Sequence, residues 1–210
     1  ILLDLCRFEE SVSSLNRAIA LNPGNADFHN NLGIVLSRQG EFNSALDSYN
    51  IAIKLKPEDY RIHANHGSVL NELDRLEEAL ISCNKSISLN PNYAEAYNNL
   101  ATILHKKGEF DEAVTIYTKA IKLKPEDYRL HSNLGSALKE LNRLDEASKS
   151  CQHAINLNPE YAEAYNNLGS ILQEDSRFEE AVTCYRQTIK LNPDNAMALS
   201  NLGTTLQELG

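Results

Sequence analysis

The 210-residue sequence contains no apolar run near the ~18 residues that a membrane span requires, and it does not open on the charged-then-apolar pattern of a secretory signal. No membrane association is expected, and a cytoplasmic location is. Basic residues are the minority: 20 lysines and arginines face 29 aspartates and glutamates, for a net charge of −9. Neutralising a phosphate backbone needs a basic stripe, so the balance argues against nucleic acid as a partner. Cysteine is scarce, and Cys6, Cys83, Cys151 and Cys184 form no CxxC pair and no His/Cys cluster at zinc spacing. Reduced thiols, buried in a reducing compartment, are expected, and no metal site. Glycine-rich phosphate loops, nucleophile elbows and paired-carboxylate motifs are also missing. The expectation is a chain with no catalytic residue and no cofactor, any catalytic domain lying outside these residues. Methionine occurs once, at Met197, so Ile1 is not an initiator and the sequence reads as part of a longer chain.

Proline is equally sparse, but its six residues share one spacing: Pro23, Pro57, Pro91, Pro125, Pro159 and Pro193, each 34 residues after the one before. A strict period of that length means stacked copies of one small unit. Other slots follow it. Small residues recur at Ser11, Ala45, Ala79, Ala113, Ala147 and Ala181, and again at Ala18, Ala52, Ser86, Ala120, Ala154 and Thr188, where two helices must come close. A glycine-type slot reads Gly33, Gly67, Ala101, Gly135, Gly169, Gly203. It is preceded by Leu32, His66, Leu100, Leu134, Leu168 or Leu202 and followed three residues on by a leucine, so apolar residues stand at i, i+4 on one helix face. Between the halves of each unit, Cys6, Gly40, Asp74, Gly108, Asn142, Ser176 and Gly210 occupy a slot suited to a left-handed turn. Each unit therefore reads helix, turn, helix, for example 26–39 and 42–56, ended by a proline that lacks the backbone donor.

The order Leu100-Ala101-x-x-Leu104, Ala113-x-x-x-Tyr117, Pro125 resembles the tetratricopeptide repeat. The resemblance recurs along the whole chain. It divides residues 1–210 into a partial repeat at 1–25, full repeats at 26–59, 60–93, 94–127, 128–161 and 162–195, and a further first helix or cap at 196–210. It implies an all-α fold, a right-handed superhelical solenoid of antiparallel helix pairs whose first helices line a concave wall. A second period lies inside the first. Lys56-Pro57-Glu58-Asp59-Tyr60-Arg61 returns as Lys124-Pro125-Glu126-Asp127-Tyr128-Arg129, and Tyr93 to Leu100 returns as Tyr161 to Leu168, as if a two-repeat module had been duplicated.

One slot is constant in type: Asn31, Asn65, Asn99, Asn133, Asn167 and Asn201 occupy it in all six first helices. Asparagine is a mediocre helix former because its amide competes for backbone bonds, so its place in mid-helix calls for a reason. Two reasons fit. An amide carries an acceptor and two donors and can grip the peptide groups of an extended ligand; alternatively it bonds a neighbouring helix and locks repeat to repeat. The row is similar to the asparagine ladder in the repeat arm of the O-linked N-acetylglucosamine transferases, which implies peptide binding along the groove. Six rungs at ordinary helix spacing would follow about 15 extended residues. A neighbouring row, Ile34, Ser68, Thr102, Ser136, Ser170 and Thr204, is mostly small hydroxyls that leave room for a ligand backbone.

Other constellations carry less. Repeat domains that clamp acidic chaperone tails use lysines and an arginine; here those slots hold Asn30, Glu95 and Asn99, or Ala64, Arg129 and Asn133, so no carboxylate clamp is formed. His63 and His66 stand at i, i+3, but His63 shares a slot with His29, Tyr97, His131 and Tyr165, where the family packs an aromatic, and it reads as a core residue. Asn84-Lys85-Ser86 matches a glycosylation acceptor but lies mid-helix. Acidic pairs such as Glu77-Glu78 and Glu179-Glu180 suit the positive ends of second helices. The expected function is a protein-binding scaffold that holds an extended polypeptide. The alternatives are a recruiting arm of a larger transferase and a module that self-associates through open repeat ends, where Leu199, Leu202 and Leu206 form an apolar row.

Overall fold

The computed structural model describes residues 7–210; Cys6 of the turn slot and the start of the partial repeat lie outside the described residues. Among the described residues the chain is all-helical and has no strand. Leading helices, the first of each pair, are α2 (Ala26–Arg38), α4 (Tyr60–Glu72), α6 (Ala94–Lys106), α8 (Tyr128–Glu140), α10 (Ala162–Glu174) and α12 (Ala196–Glu208). Trailing helices are α1 (Phe8–Leu21), α3 (Phe42–Leu55), α5 (Leu76–Leu89), α7 (Phe110–Leu123), α9 (Leu144–Leu157) and α11 (Phe178–Leu191). Helices α2 and α3 each stop one residue short of the sequence expectation, because Gln39 and Lys56 are their caps.

The chain divides into two compact units, residues 1–103 and 104–210, with the boundary inside α6. In the first unit, α1 to α5 pack consecutively and α2 also touches α4. In the second, α7 to α12 pack consecutively, with α8 touching α10 and α10 touching α12. Within the units, α2, α4, α8 and α10 each meet both flanking trailing helices, and α2–α4, α8–α10 and α10–α12 are contacts between successive leading helices, the packing of a helical solenoid.

The turns inside each pair follow from one backbone device. Gly40, Asp74, Gly108, Asn142 and Ser176 all have φ between 56° and 80°. Each donates to the carbonyl three residues back, and the following residue donates to the carbonyl five back, as in Glu41 N to Leu36 O at 2.9 Å and Arg177 N to Leu172 O at 2.8 Å. This is the Schellman closure, which satisfies carbonyls that a helix end leaves open. At the other end of the trailing helices the residue before each proline leaves helical geometry, Lys56 at φ −142°, ψ 75°, and the helix stops. Leading helices restart on Asn25, Asp59, Asp127 and Asn195, whose side chains cap a backbone N–H. Trailing helices have no such cap, but Arg75, Arg143 and Arg177 each hold Glu78, Glu146 or Glu180 in a two-bond pair at 2.6–2.8 Å across the first turn.

Ala45, Ala79, Ala113, Ala147 and Ala181 are completely buried. The glycine slot faces a tyrosine or cysteine of the paired trailing helix. A methyl on Gly33 would lie 2.6 Å from the Tyr49 ring, on Gly169 2.8 Å from the Tyr185 ring, and on Gly67 2.7 Å from Cys83 Sγ. Cys83 and Cys151, at the position held by Tyr49, Tyr117 and Tyr185 in the other repeats, are buried free thiols. Burial pushes both thiols up to about 12. In the slot of His63, His29 and His63 are buried while Tyr97, His131 and Tyr165 are half-buried, and the structure adds a bond that the sequence reading missed. His29, His63 and His131 place Nε2 at 3.0, 2.7 and 2.8 Å from the carbonyl of Pro23, Pro57 and Pro125. A carbonyl only accepts, so Nε2 carries the proton, and Tyr97 Oη donates to Pro91 O in the same way at 3.1 Å.

Candidate functional site

The asparagine slot falls near the middle of each leading helix, one position before the buried leucine face. Asn31, Asn65 and Asn99 belong to the first unit; Asn133, Asn167 and Asn201 belong to the second. Asn31 is exposed and the other five are half-buried. Three of them make one repeated bond. Asn65 Nδ2 donates to Asn30 Oδ1, Asn99 Nδ2 to the Ala64 carbonyl and Asn167 Nδ2 to Ser132 Oγ, each at 3.0 Å and each to a residue 35 positions back. These bonds tie a leading helix to its predecessor, so repeat-to-repeat stapling is a feature of the structure. Asn201 instead hydrogen-bonds the Tyr185 phenol, which itself donates to Gln173 Oε1 at 2.9 Å. Burial raises that phenol to about 12, so it stays a neutral donor.

Two rungs open onto pockets of the same construction, one in each unit. In the first, Asn65 lines a pocket of about 410 Å³ with Ile34, Arg38, Phe42, Ser68 and Glu72. In the second, Asn201 lines a pocket of about 380 Å³ with Ser170, Glu174, Phe178 and Glu208. The shared slots are four repeats apart in sequence: Phe178 stands for Phe42, Ser170 for Ile34, Glu174 for Arg38 and Glu208 for Glu72. The hydroxyl row therefore does lie beside the asparagines. Charge differs between the copies, with Arg38 facing a pocket that also holds Glu72, and two carboxylates in the second. Lys139 offsets one of these from the edge, with Nζ 3.3 Å from Ser170 Oγ and 3.9 Å from Glu174.

The duplicated loops are built alike. Asp59 and Asp127 cap their helices and each receive Nε and Nη2 of Arg61 or Arg129, at 2.6–3.1 Å. Those guanidinium bonds hold both carboxyls well below the usual carboxylate range. Tyr60 meets Tyr93 edge-on at 4.8 Å, and Tyr128 meets Tyr161 at 4.7 Å. Asp127, Tyr128 and Arg129 also line a separate pocket of about 470 Å³ with Lys124, Pro125 and Glu126. His66 bonds Ser82 Oγ through Nδ1 at 2.8 Å, and among the described residues no group of three histidine, cysteine or carboxylate side chains could hold a metal ion. No described helix is long and apolar enough to cross a membrane.

Comparison with known proteins agrees with the architecture. Models described as tetratricopeptide repeat match residues 26–59, 94–127, 162–195 and 184–210, and a model described as TPR repeat matches 1–40, 67–108 and 135–176. No curated protein matches the sequence. Among solved structures, the Cut9–Hcn1 hetero-tetramer of the APC/C superposes with a TM-score of 0.91 at 17% identity over 98% of this chain, which spans only 41% of that one. YrrB, described as a TPR protein with an unusual peptide-binding site, gives 0.62 at 23% identity, covering 90% of this chain and 97% of its own. TTC0263, a thermophilic TPR protein of Thermus thermophilus, gives 0.77 at 21% identity, covering 87% and 100%. At such identities the structural matches speak to fold alone. TPR proteins generally mediate protein–protein interactions. The repeated slots, the packing of the helix pairs and the family matches lead to one conclusion: this chain belongs to the tetratricopeptide repeat family.

Proposed function

We propose that the chain is a protein-interaction scaffold that holds an extended segment of a partner against its leading helices, with Asn31, Asn65, Asn99, Asn133, Asn167 and Asn201 as the binding rungs. The observation that carries this reading is the repeated pocket: Asn65 and Asn201 stand in equivalent places, Asn65 with Ile34 and Phe42 and Asn201 with their counterparts Ser170 and Phe178, with open volume in front of each. Leading helices about 10 Å apart and a peptide advancing about 3.3–3.6 Å per residue put one rung at about every third ligand residue. At about 1 kcal/mol net per hydrogen bond, offset by ordering the ligand, binding is expected in the micromolar range and to tolerate changes of ligand sequence.

The experiment is a titration with a labelled, end-blocked peptide of alternating serine and alanine, about 15 residues long. Replacing Asn65, Asn99, Asn133 and Asn167 together by alanine is expected to abolish binding while the helical signal at low temperature persists. Because three of these residues also staple, the variant melts earlier, so Asn31→Ala is measured beside it. Asn31 is exposed and removes a rung without a staple. Unchanged affinity in both folded variants would sink the proposal. A second reading, self-association, draws on α12, where Met197, Leu199 and Leu206 are 65, 49 and 42% exposed, whereas Leu202 packs partly into the core. Light scattering over a concentration series tests it, with a mass that grows with concentration as the supporting result. A recruiting arm of a larger transferase uses the same rungs, with its catalytic domain outside these residues.

A further inference from the structure

The three stapled rungs spend the same atom in the same direction. Asn65, Asn99 and Asn167 each turn Nδ2 back to the preceding leading helix. At Asn99 the orientation is fixed by chemistry, since the Ala64 carbonyl can only accept and must face the nitrogen of the amide. The oxygen is then held on the opposite side of the same planar group. All three residues are half-buried, and their Oδ1 atoms accept no hydrogen bond from the described residues. An amide has two donor and two acceptor positions. The staple removes one donor and directs the other, while both acceptor positions stay open.

We infer that the ladder is one-sided: the stapled rungs present oxygen to the ligand, and the ligand they recognise supplies a row of N–H donors. This rests on the scaffold reading above and sharpens it. An extended polypeptide with free backbone N–H groups fits. A proline-rich chain does not, although it is already extended and keeps every carbonyl, because it has no N–H to give. The same geometry ties recognition to stacking. A rung can present its oxygen in a fixed direction only while its nitrogen is held by the previous repeat, so the staple is what orients the site.

Three end-blocked probes of equal length separate the possibilities: the serine–alanine peptide, the same sequence with every backbone nitrogen methylated, and polyproline. Fluorescence anisotropy is expected to show binding of the first, a loss of about tenfold or more on methylation, and no binding of polyproline. If the methylated peptide binds as tightly as the unmethylated one, or polyproline binds, the one-sided ladder is wrong while the scaffold reading stands. If the serine–alanine peptide does not bind, or binds regardless of the asparagines, the scaffold reading fails and takes this inference with it.

Discussion

Gly33 and Gly203 occupy the same slot and make opposite predictions. A methyl on Gly33 would stand 2.6 Å from the Tyr49 ring, whereas a methyl on Gly203 meets nothing within 4 Å. Gly33→Ala is therefore expected to cost about 1–3 kcal/mol by overpacking. Gly203→Ala is expected to gain up to about 1 kcal/mol from helix propensity. Thermal denaturation of the two variants checks both, and equal shifts would mean that the slot is not a close contact. His66 adds a pH dependence. Burial, with His63 and Arg75 nearby and Glu78 opposing, holds the imidazole neutral and lowers its pKa from the ordinary 6.5 to about 4. As pH falls below about 6.5, the unfolded chain takes up a proton that the folded one refuses. Stability is thus lost through the window from about 6.5 to about 4 and levels below it. His66→Leu, which restores the residue of the sibling repeats, is expected to flatten melting temperature against pH there. Asp59, whose carboxyl is held low by Arg61, acts with the usual carboxylate sign at more acid pH, below that window. These residues also mark the limit of sequence reading. The glycine slot was visible because it recurs every 34 residues. The staple was legible only as one of two uses of the asparagine slot, because its acceptor changes from Asn30 to a backbone carbonyl at Ala64 to Ser132, and a carbonyl leaves no mark in a sequence. The histidine-to-proline bond was hidden for the same reason.

At the scale of the helix pair, the turn was the most legible element. A slot drawn from glycine, asparagine, aspartate and serine between two amphipathic stretches specified a left-handed residue, and φ is positive at each described position of that slot. The slot also carries an energetic difference among repeats, because a left-handed backbone costs a side-chain-bearing residue roughly 1–2 kcal/mol and glycine almost nothing. Ser176 adopts φ 57° without the local amide or carboxylate that eases this for Asn142 and Asp74. Ser176→Gly is expected to stabilise the α10–α11 pair by up to about 1 kcal/mol, after allowance for the greater freedom of glycine in the unfolded chain. Chemical denaturation gives the answer directly, and a destabilised variant would show that the Ser176 side chain contributes a contact worth more than the strain.

Within each of the two units, stability is carried by nearest neighbours, since the helices pack consecutively on those beside them. The period alone predicted that arrangement, because a 34-residue unit cannot bury its own apolar face. It follows that protection from exchange is graded by the number of neighbours. In the second unit, α10 touches α8, α9, α11 and α12, whereas among the described residues α12 touches only α11 and α10. Helix α12 also leaves Met197, Leu199, Leu206 and Leu209 exposed and has no neighbour against Gly203. Its amides are expected to exchange by local opening, well before those of α10, which require disruption of several interfaces. Hydrogen exchange followed by mass spectrometry resolves the two helices. The four-asparagine variant extends the test: with the Asn167 staple gone, the link from α10 back to α8 loosens, and α10 is expected to move toward the faster rate of α12. Exchange of α10 that is unchanged in that variant would show that apolar packing alone holds the leading helices together and that the amides are not needed for stacking.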